Sequence, residues 1–94
     1  MNQNISKKNL RQFRTFEGIH LIANKTYYLC DFYFQTNKQG EDVYTVQIES
    51  PQNIKSELQF VFSPILKTWV CTNYDEQQKE LIEKIITEII KKNR

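Results

Sequence analysis

The chain reads as an α+β domain: an antiparallel meander of four or five strands, one face covered by a long C-terminal helix, with a short basic N-terminal helix or arm in front. Three observations predict this. Apolar residues recur at the helical period towards the C-terminus, alternate with polar residues at a period of two between about residues 26 and 72, and give way to interleaved cations and aromatics in the first 25 residues. At 94 residues there is room for a single domain over 1–94, divided into an arm (1–25), a sheet (26–72) and a helix (73–94). With 39% hydrophobic and 13% aromatic residues the chain has enough apolar surface to form a core, which a disordered protein of this size lacks.

The helix is the plainest element. Between Tyr74 and Lys92, residues Leu81, Ile82, Ile85, Ile86, Ile89 and Ile90 form one continuous stripe. Asn73 is the expected N-cap with Glu76 three residues on, Asp75 and Glu76 face the positive end of the helix dipole, and Lys91, Lys92 and Arg94 the negative end. Glu80 with Lys84 and Glu88 with Lys92 are spaced for i,i+4 pairing.

The strands follow from alternation. In the stretch 26–36, Tyr28, Cys30, Phe32 and Phe34 share a core face; in 42–49, Tyr44, Val46 and Ile48 do; in 57–62, Leu58, Phe60 and Phe62 do. Asn37-Lys38-Gln39-Gly40 and Ser50-Pro51-Gln52-Asn53 punctuate them as turns. A tight connection at Ser63-Pro64 leads to a further strand over 66–72. A two-residue loop there places Lys67 in the core opposite Phe60, whereas a three-residue loop, Ser63 to Ile65, places Thr68 opposite Phe60 and leaves Lys67 and Trp69 outside. The cost of burying an unpaired ammonium favours the second. Before residue 26, Ser6, Leu10 and Phe13 suit a short helix, and residues 16–22 suit a fifth strand that Asn24-Lys25 joins to the next one.

Charge carries the functional information. Residues 1–25 hold Lys7, Lys8, Arg11, Arg14 and Lys25 against Glu17 alone, while the remainder holds eight basic side chains against ten acids, so a net charge of +2 conceals a basic arm on a mildly acidic body. Lys7, Lys8, Arg11, Phe13, Arg14 and Phe16 interleave cations with aromatics, a combination that contacts phosphates by charge and bases by stacking. The bland alternative is an amphipathic segment whose Leu10, Phe13 and Phe16 pack on the domain. Tyr27, Tyr33, Val61 and Trp69 are expected on the outer sheet face, as a stacking platform or a protein-contact patch unless the N-terminal segment covers them. The candidate binding residues are thus Lys7, Lys8, Arg11, Phe13, Arg14, Lys25, Tyr27, Tyr33, Lys67 and Trp69. Asp31 is expected to reach solvent or pair with Lys67.

Other chemistry has little support in the sequence. Cys30 and Cys71 are too few and too far apart for a zinc site and read as buried thiols in a reducing compartment. His20 has no nucleophile paired to it in sequence and reads as a structural histidine. Two glycines exclude a glycine-rich phosphate loop, and no paired-carboxylate metal motif or nucleophile elbow occurs. The expectation is a non-catalytic protein without cofactor or metal. Neither a signal peptide nor a membrane span is expected, since no long apolar run follows the N-terminus, and the expected location is cytoplasmic.

A compact α+β domain of this size, lacking catalytic residues and carrying a basic arm, resembles the small anti-CRISPR and other anti-defence proteins of bacterial mobile elements. The resemblance lies in the overall plan, with no alignable segment, so it assigns no residue a role. It implies an inhibitor that contacts a larger protein or nucleoprotein effector, such as an RNA-guided nuclease, through the basic arm or through the acidic helix face of Glu76, Glu80, Glu83 and Glu88. A stand-alone nucleic-acid-binding regulator, with RNA as a partner, is the alternative, and a small toxin-type ribonuclease using Lys, Arg and Tyr side chains is the third reading.

Overall fold

The computed structural model describes residues 13–93. Five strands follow one another in sequence and lie side by side in the same order: β1 (Phe16–Ala23), β2 (Thr26–Thr36), β3 (Asp42–Glu49), β4 (Lys55–Ser63) and β5 (Thr68–Cys71). All neighbours are antiparallel. The sheet curls around one C-terminal helix, α1 (Lys79–Lys92), which a 3-10 turn at Glu76–Gln78 precedes. The fifth strand expected over 16–22 is β1, so the sheet begins at Phe16 and the boundary at residue 26 falls inside it, because the apolar residues at 16, 19, 21 and 23 pair with β2. The short helix expected around Ser6 and Leu10 lies outside the described residues.

Each connection has a local cause. Asn24 and Lys25 both take positive φ (52° and 60°), the primed turn whose twist matches that of the strands it joins. At the next hairpin Asn37 Oδ1 accepts the N–H groups of Gln39 and Glu41 at 3.0 and 2.9 Å, and Gly40 supplies φ 80°. Ser50 Oγ accepts from Gln52 and Ile54 between β3 and β4. In β1 the register slips between Phe16 and Ile19, where Gly18 (φ 74°) forms a bulge.

The alternation expected from sequence holds across β2, β3 and β4. Cys30, Phe32, Tyr44, Val46, Ile48, Leu58 and Phe60 are buried on the inner face against Leu81, Ile82, Ile85 and Ile89 of α1. Tyr28, Phe34 and Phe62 are half-buried at its margin. Burial of each large side chain stabilises the fold by about 1.5–3 kcal/mol. Aromatic rings fill one end of this core: Phe16 stacks on Phe32 at 4.3 Å, and Tyr44 meets Phe34 and Trp69 edge-on at 5.4 and 5.2 Å.

The last hairpin differs from the expected register. Ser63 pairs with Thr68, Phe62 with Trp69 and Phe60 with Cys71, so the loop has four residues, closed by Lys67 N–H to Ser63 O at 2.7 Å with Lys67 at φ 57°. A four-residue loop keeps Lys67 out of the core, the requirement that favoured three residues, and also turns Trp69 inward. Trp69 is only 5% exposed, packed against Phe13, Tyr44 and Phe62. Its burial outweighs the longer loop, since lengthening a loop by one residue costs little entropy.

The start of the helix differs too. Asp75, not Asn73, caps the 3-10 turn by accepting from Gln77 N–H at 3.1 Å. Asn73 instead extends the pairing of β5 with β4, accepting from Gln59 N–H at 2.9 Å and donating to Glu57 O at 3.1 Å. Along α1, Glu88 pairs with Lys91 at 3.3 Å, and neither Glu80–Lys84 nor Glu88–Lys92 forms an ion pair. Lys92 lies over the Phe16 ring, 6.0 Å from its centroid.

Candidate functional site

Antiparallel topology sorts the connections to two ends of the sheet. One end carries the β2–β3 hairpin, the β4–β5 loop, the entry to β1 and the last turn of α1. At that end Tyr44 Oη donates to Arg14 O and accepts from Asn93 Nδ2 at 2.9 Å, while Asn93 Oδ1 accepts from Arg14 N–H at 3.1 Å. The segment before β1 and the end of α1 are thereby tied to the core at one point. The other end carries the Asn24-Lys25 turn, the β3–β4 loop and the start of the helical segment, where Asn24 Nδ2 reaches Gln77 O.

Charge is divided between these ends. The first gathers Arg14, Lys38, Lys67, Lys91 and Lys92 against Glu17, Glu41, Asp42 and Glu88; the second gathers Lys25, Lys55 and Lys79 against Glu49, Glu57, Asp75, Glu76 and Glu80. Among the described residues no carboxylate pairs with Arg14, Lys38 or Lys67. At this same end, at the tip of the β4–β5 loop, Ile65 is 90% exposed and Leu66 65%. Leu66 N–H is held by Ser63 Oγ at 3.1 Å, so the loop backbone is fixed while these two side chains project from it. A fixed loop with bare aliphatic tips at the same end as these cations has the composition of a contact surface, because single exposed apolar residues are ordinary but a projecting pair on an ordered loop offers area to a pocket.

The residues singled out from sequence fall into four groups. Lys7, Lys8 and Arg11 lie outside the described residues. Arg14 and Lys67 belong to the basic end, whereas Lys25 lies at the opposite end. Phe13 and Trp69 are core elements: Phe13 is half-buried, 5.2 Å from Phe34 and 5.6 Å from Trp69 between ring centroids. Tyr27 and Tyr33 do lie on the outer face with Val61, but without Trp69, which is on the other side of the sheet. Tyr27 stacks on exposed His20 at 5.1 Å, so the histidine is a surface partner of an aromatic. Partial desolvation, followed by the neighbouring Glu17 carboxylate, raises the pKa of Tyr33. Asp31 does not reach Lys67; it accepts from Gly18 N–H at 2.9 Å and fastens the β1 bulge. Lys38, Ile65, Leu66, Lys91 and Lys92 were not singled out from sequence, although two aliphatics directly after Ser63-Pro64, where a loop needs polar residues, are a readable signal.

The outer face also holds a shallow groove of about 350 Å³ over β2, β3 and β4, where Asp31, Glu49 and Glu57 face Lys55 beside Leu29. The thiols are elsewhere. Cys30 and Cys71 are free and buried, and desolvation pushes the Cys30 thiol up to about 12, with Asp31 and Glu88 adding to the rise. A thiol held neutral in this way is a poor nucleophile at physiological pH. Among the described residues no three His, Cys, Asp or Glu side chains approach closely enough to hold a metal ion, and no helix is long and apolar enough to cross a membrane. Comparison with protein-family models, curated proteins and solved structures finds no match for this chain.

Proposed function

We propose that this protein is a non-catalytic binding protein that inhibits a larger nucleoprotein effector, such as an RNA-guided CRISPR nuclease, by direct contact through its basic end. The observation that carries this is the β4–β5 loop, where Ile65 and Leu66 project at the end that also holds Lys38 and Lys67, cations with no carboxylate partner among the described residues. Cations contact phosphates, and an aliphatic tip fills an apolar pocket of a protein; a surface that offers both suits a partner made of both. Arg14, which leads into β1, is held at this same end by Asn93.

The test is affinity for a guide-loaded nuclease, for the same nuclease without guide, and for the guide RNA alone. Binding to the loaded nuclease alone, or far more tightly than to either part, is the expected result. Ile65→Asp with Leu66→Asp should weaken it by about 2 kcal/mol or more, roughly thirtyfold, as loss of a central apolar contact does. Replacing Arg14, Lys38 and Lys67 by Gln should lower the log-log salt slope by roughly 0.7 for each phosphate contact on single-stranded nucleic acid. Equal affinity for free RNA, with no effect of the loop substitutions, would refute this reading in favour of a stand-alone nucleic-acid-binding regulator.

A further inference from the structure

Among the described residues β5 is an outermost strand of the sheet, paired on one side with β4 and with no strand on the other. Thr72 N–H donates to Gln59 O at 2.8 Å, and Val70 lies opposite Val61, so the even-numbered residues of this strand turn their backbone groups towards β4. The alternation of an antiparallel ladder then turns the N–H and C=O groups of Trp69 and Cys71 to the free edge. From Thr68 to Asn73 this edge has no charged residue, proline or bulge, three of the devices by which native sheets block edge-to-edge pairing; its four-residue length is the one restraint it carries. The opposite edge is guarded: β1 is bulged at Gly18 and α1 packs alongside it.

We propose that β5 pairs antiparallel with β5 of a second copy, about a two-fold axis through Val70. Opposed residues must share a face, so the axis passes through a residue and not between two. An axis at Trp69 would call on the Lys67 N–H, which is already donated to Ser63 O. An axis at Val70 sets Trp69 of each copy opposite Cys71 of the other, and those two pairs exchange four backbone hydrogen bonds using only groups that face the edge. Val70, 36% exposed on the outer face, then meets its own counterpart. Lys67 of each copy falls beside the 73–75 segment of the other, which ends in Asp75, so the charges at the two ends of the strand are complementary under the same symmetry.

Sedimentation velocity over a range of concentrations, on the full chain with no effector present, tests this independently of the proposed function. The wild type should form a dimer that dissociates on dilution. Val70→Lys sets two ammonium groups against each other across the axis and should leave a monomer with unchanged far-UV circular dichroism. Val70→Cys should form an inter-chain disulfide in oxidising buffer where wild type forms none, since a non-hydrogen-bonded antiparallel pair holds its Cα atoms about 4.5 Å apart, within disulfide range. A wild-type monomer at every concentration would overturn the proposal and leave the edge to a strand of another protein. A dimer that Val70→Lys does not dissociate, or that Val70→Cys does not cross-link, would overturn it equally.

Discussion

Removing one oxygen atom from the core, by Tyr44→Phe, should loosen both the end of α1 and the entry to β1. The Tyr44 ring is fully buried and meets Phe16, Phe34 and Trp69 edge-on; phenylalanine keeps all three contacts. What is lost is the hydroxyl, which donates to Arg14 O and accepts from Asn93 Nδ2 at 2.9 Å. Asn93 Nδ2 keeps its bond to Ile89 O at 2.9 Å, and Arg14 is exposed enough for water to reach its carbonyl, so neither partner is stranded. The net cost is then one to two ordinary hydrogen bonds, about 1–2 kcal/mol. For a domain of 60–100 residues each kcal/mol lowers the melting temperature by about 4–8 °C, giving a fall of roughly 5–15 °C with folding retained. Thermal melts of wild type, Tyr44→Phe, Asn93→Ala and the double variant measure it. Because the two side chains act in one circuit, the double variant should cost less than the two singles together, by about 0.5 kcal/mol or more. An unchanged melting temperature for Tyr44→Phe, or strict additivity in the cycle, would refute the reasoning.

Ile85→Asp should abolish cooperative unfolding, because Ile85 is fully buried and the charge would have no partner, whereas Ile86→Asp, on the half-buried margin of the stripe, should melt cooperatively at lower temperature. The reverse order in thermal melts would mean that α1 is rotated about its axis. Trp69 fluorescence should be blue-shifted and poorly quenched by iodide; ready quenching in the free protein would restore the three-residue loop and turn Trp69 outward. Alkaline pH should destabilise the fold through Cys30. Burial holds this thiol neutral to about 12 against an ordinary value of 9.0, so its stabilisation is intact below pH 9 and is lost as pH rises from 9 to 12. Urea midpoints should fall less steeply over that range in Cys30→Ala than in wild type, and an identical slope would assign the alkaline loss to other raised groups such as Tyr44 and Cys71.

Period and punctuation made most of the fold legible. β2, β3 and β4 alternate one apolar face with one polar face between turn residues whose side chains do specific work, as Asn37 and Ser50 do, so local chemistry and global burial agree there. The hairpin between β4 and β5 was not legible in the same way, because Thr68, Val70 and Thr72 alternate with Trp69 and Cys71 so that either set could line a core. Only the tertiary cluster of Phe13, Phe62 and Tyr44 around Trp69 decides between them. Asn73 illustrates a similar ambiguity: a residue that suits a helix cap also suits a strand extension, and the neighbouring backbone of β4 claimed it. The basic end was half visible. Sequence showed the cations of the arm, but Lys38, Lys67, Lys91 and Lys92 come together only because an even number of traversals of the sheet and helix returns their segments to the end where Arg14 begins.

The basic end and the free edge of β5 are neighbours in sequence yet separable in space, and the separation has a consequence for any inhibitor built this way. The β4–β5 loop projects along the strand direction, while the edge faces sideways, at right angles to it. A two-fold axis through Val70 stands perpendicular to the sheet and reverses the strand direction, so the loops carrying Ile65 and Leu66 in the two copies would point to opposite ends of the joined sheet. Such a dimer could not bring both loops to one flat surface. It could bridge two effector particles, each bound by one loop, and would then gain nothing in affinity from a second site on a single particle. Val70→Lys should accordingly leave affinity for one loaded nuclease unchanged while reducing the assembly from two copies with two effectors to one with one. A loss of affinity in that variant would mean instead that both loops reach the same particle, a geometry that an antiparallel β5 pair excludes.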